Sequence, residues 1–131
     1  MFNSKKQPPI KSLIAQGTRI DGNLSFVDGL RVDGEVNGDI RANDDSRSIL
    51  VISESARVKG AVHADHVIIN GSVAGPIHAY ELAELQPKAR IHGDVIYKAL
   101  EMHQGAVIAG QLRPLDEGEA KPTLKLASNN S

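Results

Sequence analysis

At 131 residues the chain has room for one domain and its tails, and not for a second core. A formal net charge of -1 provides no long-range pull towards nucleic acid, and the absence of cysteine excludes disulfide staples and thiolate chemistry and fits a reducing compartment. Aromatic residues are 3% of the chain, with no tryptophan, so the core is expected to be thin and layered, built from valine, isoleucine, leucine and alanine.

Residues 1–16 begin with Met1-Phe2 and carry Lys5, Lys6 and Lys11, the Pro8-Pro9 pair and a short apolar Leu13-Ile14-Ala15. They read as a flexible N-terminal tail. Nothing in them has the apolar length, about 7 to 15 residues, of a secretory signal, and no run in the chain approaches the roughly 18 residues of a membrane span. The expectation is a cytoplasmic protein.

From Ile20 onward an apolar-x-Gly-x-apolar unit recurs: Ile20 to Leu24, Val36 to Ile40, Val58 to Val62, Val73 to Ile77, Ile91 to Val95 and Ile108 to Leu112. Its glycines, Gly22, Gly38, Gly60, Gly75, Gly93 and Gly110, lie about 17 or 18 residues apart on average, the length of a β-solenoid coil. Between them the alternation has period two. Leu30, Val32, Gly34, Val36, Gly38 and Ile40 fall on one side, Arg31, Asp33, Glu35, Asn37 and Asp39 on the other, so the strands are buried on one side only.

In this reading the glycine lies inward, where a side chain would be crowded by neighbouring layers, and lets the strand bend at a corner. With about six residues per side a coil closes a triangle, and adjacent coils pair as parallel strands about 4.8 Å apart. The prediction is an all-β, single-domain triangular parallel β-helix of about six coils over residues 17–113, its outward neighbours mostly polar. Ala42 to Arg47 lengthens the second interval and reads as a protruding loop; Pro76 removes one ladder donor; residues 114–131 read as a disordered polar tail.

Chemistry-bearing motifs are sparse. The five histidines, His63, His66, His78, His92 and His103, include the run His63-Ala64-Asp65-His66, but strand positions three apart face opposite sides, so they read as solvated surface residues and not as a metal site. The Gly-Asp and Gly-Asn steps lack the Gly-Gly-x-Gly-x-Asp nonapeptide of calcium-binding β-rolls, and there is no phosphate-binding Gly-x-x-x-x-Gly-Lys loop. Left-handed hexapeptide acyltransferases place an aliphatic residue every six positions; Val67, Val73, Ala79, Leu85 and Ile91 follow that phase, which breaks at Tyr97 and His103. No long loop builds a pocket, so no catalytic residue, cofactor or metal is assigned.

What remains is a solenoid with two open ends, and uncapped strand edges pair with other chains. The first unit offers Ile20, Leu24, Phe26 and Val27 as one polymer interface; the last offers Leu100, Val107, Ile108 and Leu112 as the other.

The repeated Val-x-Gly-x-Val units, the Gly-Asn-Leu and Gly-Asp-Ile steps, the Met-Phe start with nearby lysines and the short polar C-terminus together resemble the bactofilins, bacterial cytoskeletal proteins, over nearly the whole chain. The resemblance implies a right-handed β-helix that assembles without nucleotide into non-polar filaments by joining like ends, and that recruits cell-shape, cell-wall or chromosome-partitioning factors. It also implies peripheral attachment to the inner face of an anionic cytoplasmic membrane through Met1, Phe2, Lys5 and Lys6. Many family members place a phenylalanine in the final coil as part of the end contact; the last coil here has aliphatic candidates. The alternatives are an acyltransferase-like left-handed trimer and a β-helical adaptor that does not polymerise.

Overall fold

The computed structural model describes residues 8–43 and 47–115. Strands alone make up the regular structure of the described residues, and they wind a parallel solenoid of about six turns. The first coil is β1 (Ile10–Ile14), β2 (Arg19–Asp21) and β3 (Leu24–Phe26); the second is β4 (Gly29–Val32), β5 (Glu35–Asn37) and β6 (Ile40–Ala42). The third holds β7 (Ile49–Ile52), β8 (Arg57–Lys59) and the start of β9 (Val62–Ile69), which turns a corner into the fourth coil, with β10 (Ser72–Ala74) and the start of β11 (Ile77–Leu85). In the same way β11 leads into the fifth coil, with β12 (Arg90–His92) and the start of β13 (Val95–Met102), and the sixth is the rest of β13, β14 (Val107–Ala109) and β15 (Leu112–Pro114).

Three flat faces result. The first stacks β1, β4, β7 and the later halves of β9, β11 and β13. A second, six-stranded, stacks β2, β5, β8, β10, β12 and β14. The third stacks β3, β6, the earlier halves of β9, β11 and β13, and β15.

Inside, side chains of like kind stack in columns. Val36, Val58, Val73 and Ile91 form one, Ile40, Val62, Ile77 and Val95 another, and all are buried. Each such side chain contributes about 1.5–3 kcal/mol relative to exposure. The third face also carries alanines inward, Ala64 and Ala79, whose neighbour in the fifth coil is Tyr97.

The repeated glycine stands at the corner between the second and third faces and not in the packed interior. Gly60 has φ +154°, and a Cβ placed on it would lie 2.2 Å from the carbonyl oxygen of Gly38, the corner glycine one coil below. Gly38 stands in the same way over Gly22, Gly75 over Gly60, Gly93 over Gly75 and Gly110 over Gly93. A column of backbone-on-backbone contacts, with a dihedral angle that L side chains avoid from Gly22 to Gly93, therefore demands glycine once per coil.

The residue after each glycine completes the corner. Asn23 Oδ1 accepts from the Asp39 N–H at 2.8 Å, Asp39 Oδ1 from the Ala61 N–H at 2.8 Å, and Asp94 Oδ1 from the Gln111 N–H at 2.9 Å. The ladder has no acceptor at Ala61, and the residue stacked above it is Pro76, which has no N–H to satisfy. These side chains join one coil to the next, which is the use of the Gly-Asn and Gly-Asp steps.

Four expectations change. The solenoid starts earlier than its glycines indicate: Ile10–Ile14, inside the stretch expected as tail, is β1 and pairs in parallel with β4. Without it the β4 edge of the first face would be open, while Ile14, buried, supplies the first layer of an inward column continued by Val32 and Ile52. At the other end β15 runs through Pro114, one residue into the expected tail. The histidines are not uniformly solvated. His66 is buried with Nε2 at 3.6 Å from Glu84 Oε1, and the His63 and His78 rings stack with centroids 4.3 Å apart, whereas His92 and His103 are exposed. Asp65 is buried at a corner, accepting from the Ser48 N–H and hydroxyl. Finally, the outer surface of the first face is apolar at its centre, where Val51, Ile68 and Leu82 are half-buried. Of the expected loop, Ala42 closes β6, Asn43 N–H donates to the Phe26 carbonyl at 2.7 Å and Arg47 Nη2 lies 2.8 Å from Glu81 Oε1; residues 44–46 lie outside the described residues.

Between the second and third coils Asp33 accepts a short hydrogen bond from the Ser53 hydroxyl and a second from Arg31 Nε at 2.9 Å. The Ser53 hydroxyl, and next the Arg31 guanidinium, hold the Asp33 carboxyl below its usual value. A depressed carboxyl stabilises the fold above its unfolded-state pKa, and that contribution is lost as pH falls through the lower folded value. Ser53→Ala is expected to raise the Asp33 midpoint towards the ordinary carboxylate range, read by NMR titration of the Asp33 side-chain carbon. Gly60→Ala is expected to cost about 3 kcal/mol, read as a lowered denaturation midpoint at unchanged slope.

Candidate polymerisation interfaces at the solenoid ends

Each inner strand of the stack has a hydrogen-bonded neighbour on both sides. At the ends this stops: β1 and β2 are terminal strands of their faces, β3 pairs only with β6, and β14 and β15 are terminal at the other end. Among the described residues, their outer backbone donors and acceptors face no further coil, which is the condition under which strand edges join other chains.

The side chains agree. Among the described residues the large hydrophobics that are exposed are Ile10, Leu13, Val27, Met102, Val107 and Leu112, and every one belongs to the first or the last coil. They are exposed for two different reasons. Met102 stands in register with buried Leu85 and Leu112 with buried Val95, so both continue inward columns and are 45% and 43% exposed because no seventh layer covers them. Val107 stands in register with exposed Arg90, and Leu13 with exposed Arg31, so these two point outward from the faces.

The expected interface residues therefore divide. At the N-terminal end Ile20 and Leu24 are half-buried starts of inward columns and belong to the end surface. Phe26 is 7% exposed, in register with Ala42, where the small alanine leaves space beneath the ring. Val27 stands exposed at the turn into β4, where Asp28 takes φ 61° and its carboxylate meets Lys11 Nζ at 2.6 Å. At the C-terminal end Leu100 and Ile108 are half-buried against the core and Leu112 is open, whereas Val107 is a face residue. The pattern missed Met102, although its two-residue step from Leu100 carries the signal, and it missed Ile14 because β1 has no corner glycine to mark it. Met1, Phe2, Lys5 and Lys6 lie outside the described residues.

A groove of about 660 Å³ is an open trough on the first face over Val51 and Ile68, rimmed by Gln16, Glu54, Asn70 and Gln86. Among the described residues, Glu84, Glu101 and His103 bring one ligand atom each within 4.8 Å of one another, with Glu101 Oε2 spent on His103 Nε2 at 2.9 Å. Near the first end Asn37 Nδ2 donates to Asp21 Oδ1 at 2.8 Å, and that bond, followed by the nearby Arg19 charge, lowers the Asp21 pKa.

A protein-family model for bactofilins, described as polymer-forming cytoskeletal, matches residues 12–113. The chain belongs to the bactofilin family. That match begins inside β1 and ends inside β15, so it takes in almost the whole solenoid, both open ends included. Comparisons with curated proteins and with solved structures returned no match. Self-assembly is a property of the bactofilin family, and open strand edges are places where chains can join.

The division between inward and outward residues is testable. Met102→Glu is expected to leave the far-UV strand spectrum intact and to abolish large assemblies in sedimentation velocity, because it puts a charge on an inward column. Val107→Asp, placed outward from the second face, is expected to leave assembly within about twofold of the parent. Equal loss in both variants would contradict the assignment.

Proposed function

We propose that this bactofilin is a non-catalytic scaffold that self-assembles end to end, without nucleotide, into non-polar filaments, joining N-terminal end to N-terminal end and C-terminal end to C-terminal end. The observation that carries the reading is that, among the described residues, the strand ladders have open edges at both ends and the inward columns end there, exposed at Met102 and Leu112 and half-buried at Ile20 and Leu24. Stacking a further chain covers Met102 and Leu112 and extends the ladders in one step, with no ligand needed to switch the contact on.

The scaffold acts at the inner face of the cytoplasmic membrane. Support comes from the sequence ahead of β1. Burial of Met1 and Phe2 supplies roughly 3–5 kcal/mol, and Lys5 and Lys6 each about 1 kcal/mol beside an anionic leaflet. One such segment is a weak anchor, whereas a filament carrying many gains avidity without any new contact. No helix among the described residues is long and apolar enough to cross a membrane. On this surface the filament recruits cell-shape, cell-wall or chromosome-partitioning factors.

Negative-stain microscopy of the purified chain without nucleotide is expected to show filaments, and Leu112→Asp is expected to leave units no longer than dimers joined at the unaltered end. A strictly monomeric parent, or a compact trimer, contradicts the reading. Removal of residues 2–8 is expected to abolish co-sedimentation with anionic liposomes while filaments persist; undiminished co-sedimentation contradicts the anchoring role.

A further inference from the structure

Two outward columns run along the first face. Strand registers place Leu13, Arg31, Val51, Ile68, Glu84 and Glu101 in one, coil by coil, and Ile10, Gly29, Ile49, His66, Leu82 and Ala99 in the other. The centre of this surface is apolar: Val51, Ile68 and Leu82 are half-buried, and Ile49 is buried outside the interior core. Its charge is ordered. Arg31 lies on the N-terminal side of the apolar centre, Glu84 and Glu101 on the C-terminal side.

Such an order is self-complementary under one operation. Turning a second copy by 180° about an axis along the strands reverses the order of coils and keeps each column opposite itself. Val51 then faces Ile68 of the other copy and Arg31 faces its Glu84, while Ile49 and His66, already buried in each copy, lie beneath the contact. Every contact occurs twice, as an isologous interface requires. Running the copies parallel instead sets Glu84 on the other copy's Leu82 and leaves Arg31 opposite Gly29 with no carboxylate, whereas the antiparallel pairing sets a carboxylate on an aliphatic group only at its outer edge, Glu101 on Leu13, where both side chains are exposed to water.

The groups are available for this pairing. The Arg31 side chain is about half exposed and spends only Nε on Asp33, leaving its other guanidinium donors for a second carboxylate. Glu84 Oε2 accepts from Gln86 Nε2 at 3.0 Å, which holds the carboxylate on this surface. The rims of the face are neutralised locally, by Arg47 with Glu81 at 2.8 Å and Lys88 with Glu54 at 2.8 Å. Flat sheets pack face to face about 10 Å apart, within reach of all these side chains.

We propose that the outer surface of the first face is a lateral interface that pairs two copies of this chain antiparallel, its apolar centre framed by reciprocal Arg31–Glu84 pairs. The pairing uses neither solenoid end, so it stands or falls separately from the filament reading. It admits filaments side by side and is indifferent to filament direction when subunits alternate along the filament.

The chain contains no cysteine, so single cysteines introduced into the full chain report alone. Val51→Cys and Ile68→Cys proteins, mixed and treated with a short bismaleimide, are expected to yield at least tenfold more mixed product than either alone. Arg31→Glu in both partners is expected to reduce that product about fivefold, as is Glu84→Arg, and the two together are expected to restore it. Strand circular dichroism checks that each variant is folded. Dominant self-linking of Val51→Cys, or no recovery in the double reversal, overturns the proposal. So does slow reaction of Val51→Cys with a monofunctional maleimide at dilution, since the face would then be covered by the chain's own residues. Filaments without lateral cross-links leave the end contacts standing, and cross-linked pairs without filaments leave the lateral face standing.

Discussion

The distance between one coil and the next governs this molecule. Parallel strands stack about 4.8 Å apart, and at the corner between the second and third faces the backbone comes closer still, so close that a Cβ on Gly60 would lie 2.2 Å from the Gly38 carbonyl oxygen. One glycine per coil follows from that contact. So does the choice of neighbours: Asn23, Asp39 and Asp94 hand a carbonyl or carboxylate oxygen up to the next coil's N–H, and the ladder is bare at Ala61, beneath a proline that has no N–H to offer, and at that proline, Pro76, itself. A stack assembled this way has no intrinsic stopping point, because every coil presents to the next the same edge and the same columns.

Function enters where the repetition ends. Met102 and Leu112 continue the columns of Leu85 and Val95, one coil earlier, and have no further described layer above them. In an enzyme built on a solenoid, loops leave the coils to wall a pocket; here the main trough is open, and the flat face beneath it is apolar at the centre and charged with opposite sign on either side. The two ends and this face are the surfaces for which contact with other copies of the chain is proposed. That is consistent with membership of a polymer-forming cytoskeletal family.

The sequence displayed the part of this that repeats. The spacing of Gly38, Gly60, Gly75 and Gly93 carries coil length, coil number and the inward residues around each corner, because a steric demand returning once per coil leaves a periodic mark. It did not reveal β1, which has no corner glycine and turns Leu13 outward, so that its apolar residues resemble a short run in a tail. Nor did it separate Val107 from Met102: both are apolar residues of the last coil, and only register shows that one continues the Arg90 row and the other the Leu85 column. The apolar centre of the first face was hidden for a related reason. Ile49 to Ile52 and Val67 to Ile69 are continuous apolar runs, which alternation alone cannot divide into inside and outside. His66 was expected to be solvated; it lies on the outward column of the first face yet is buried, with Glu84 of the next coil beside it, a neighbour that residue spacing does not show.

The central claim is that filament growth continues the stacking direction of the coils through the ends of the solenoid. Fibre diffraction from oriented filaments tests it most directly. The account requires a sharp reflection near 4.8 Å along the filament axis, since every strand then lies across that axis. A reflection of that spacing perpendicular to the axis, with none along it, would mean that subunits join through their faces and would contradict the account.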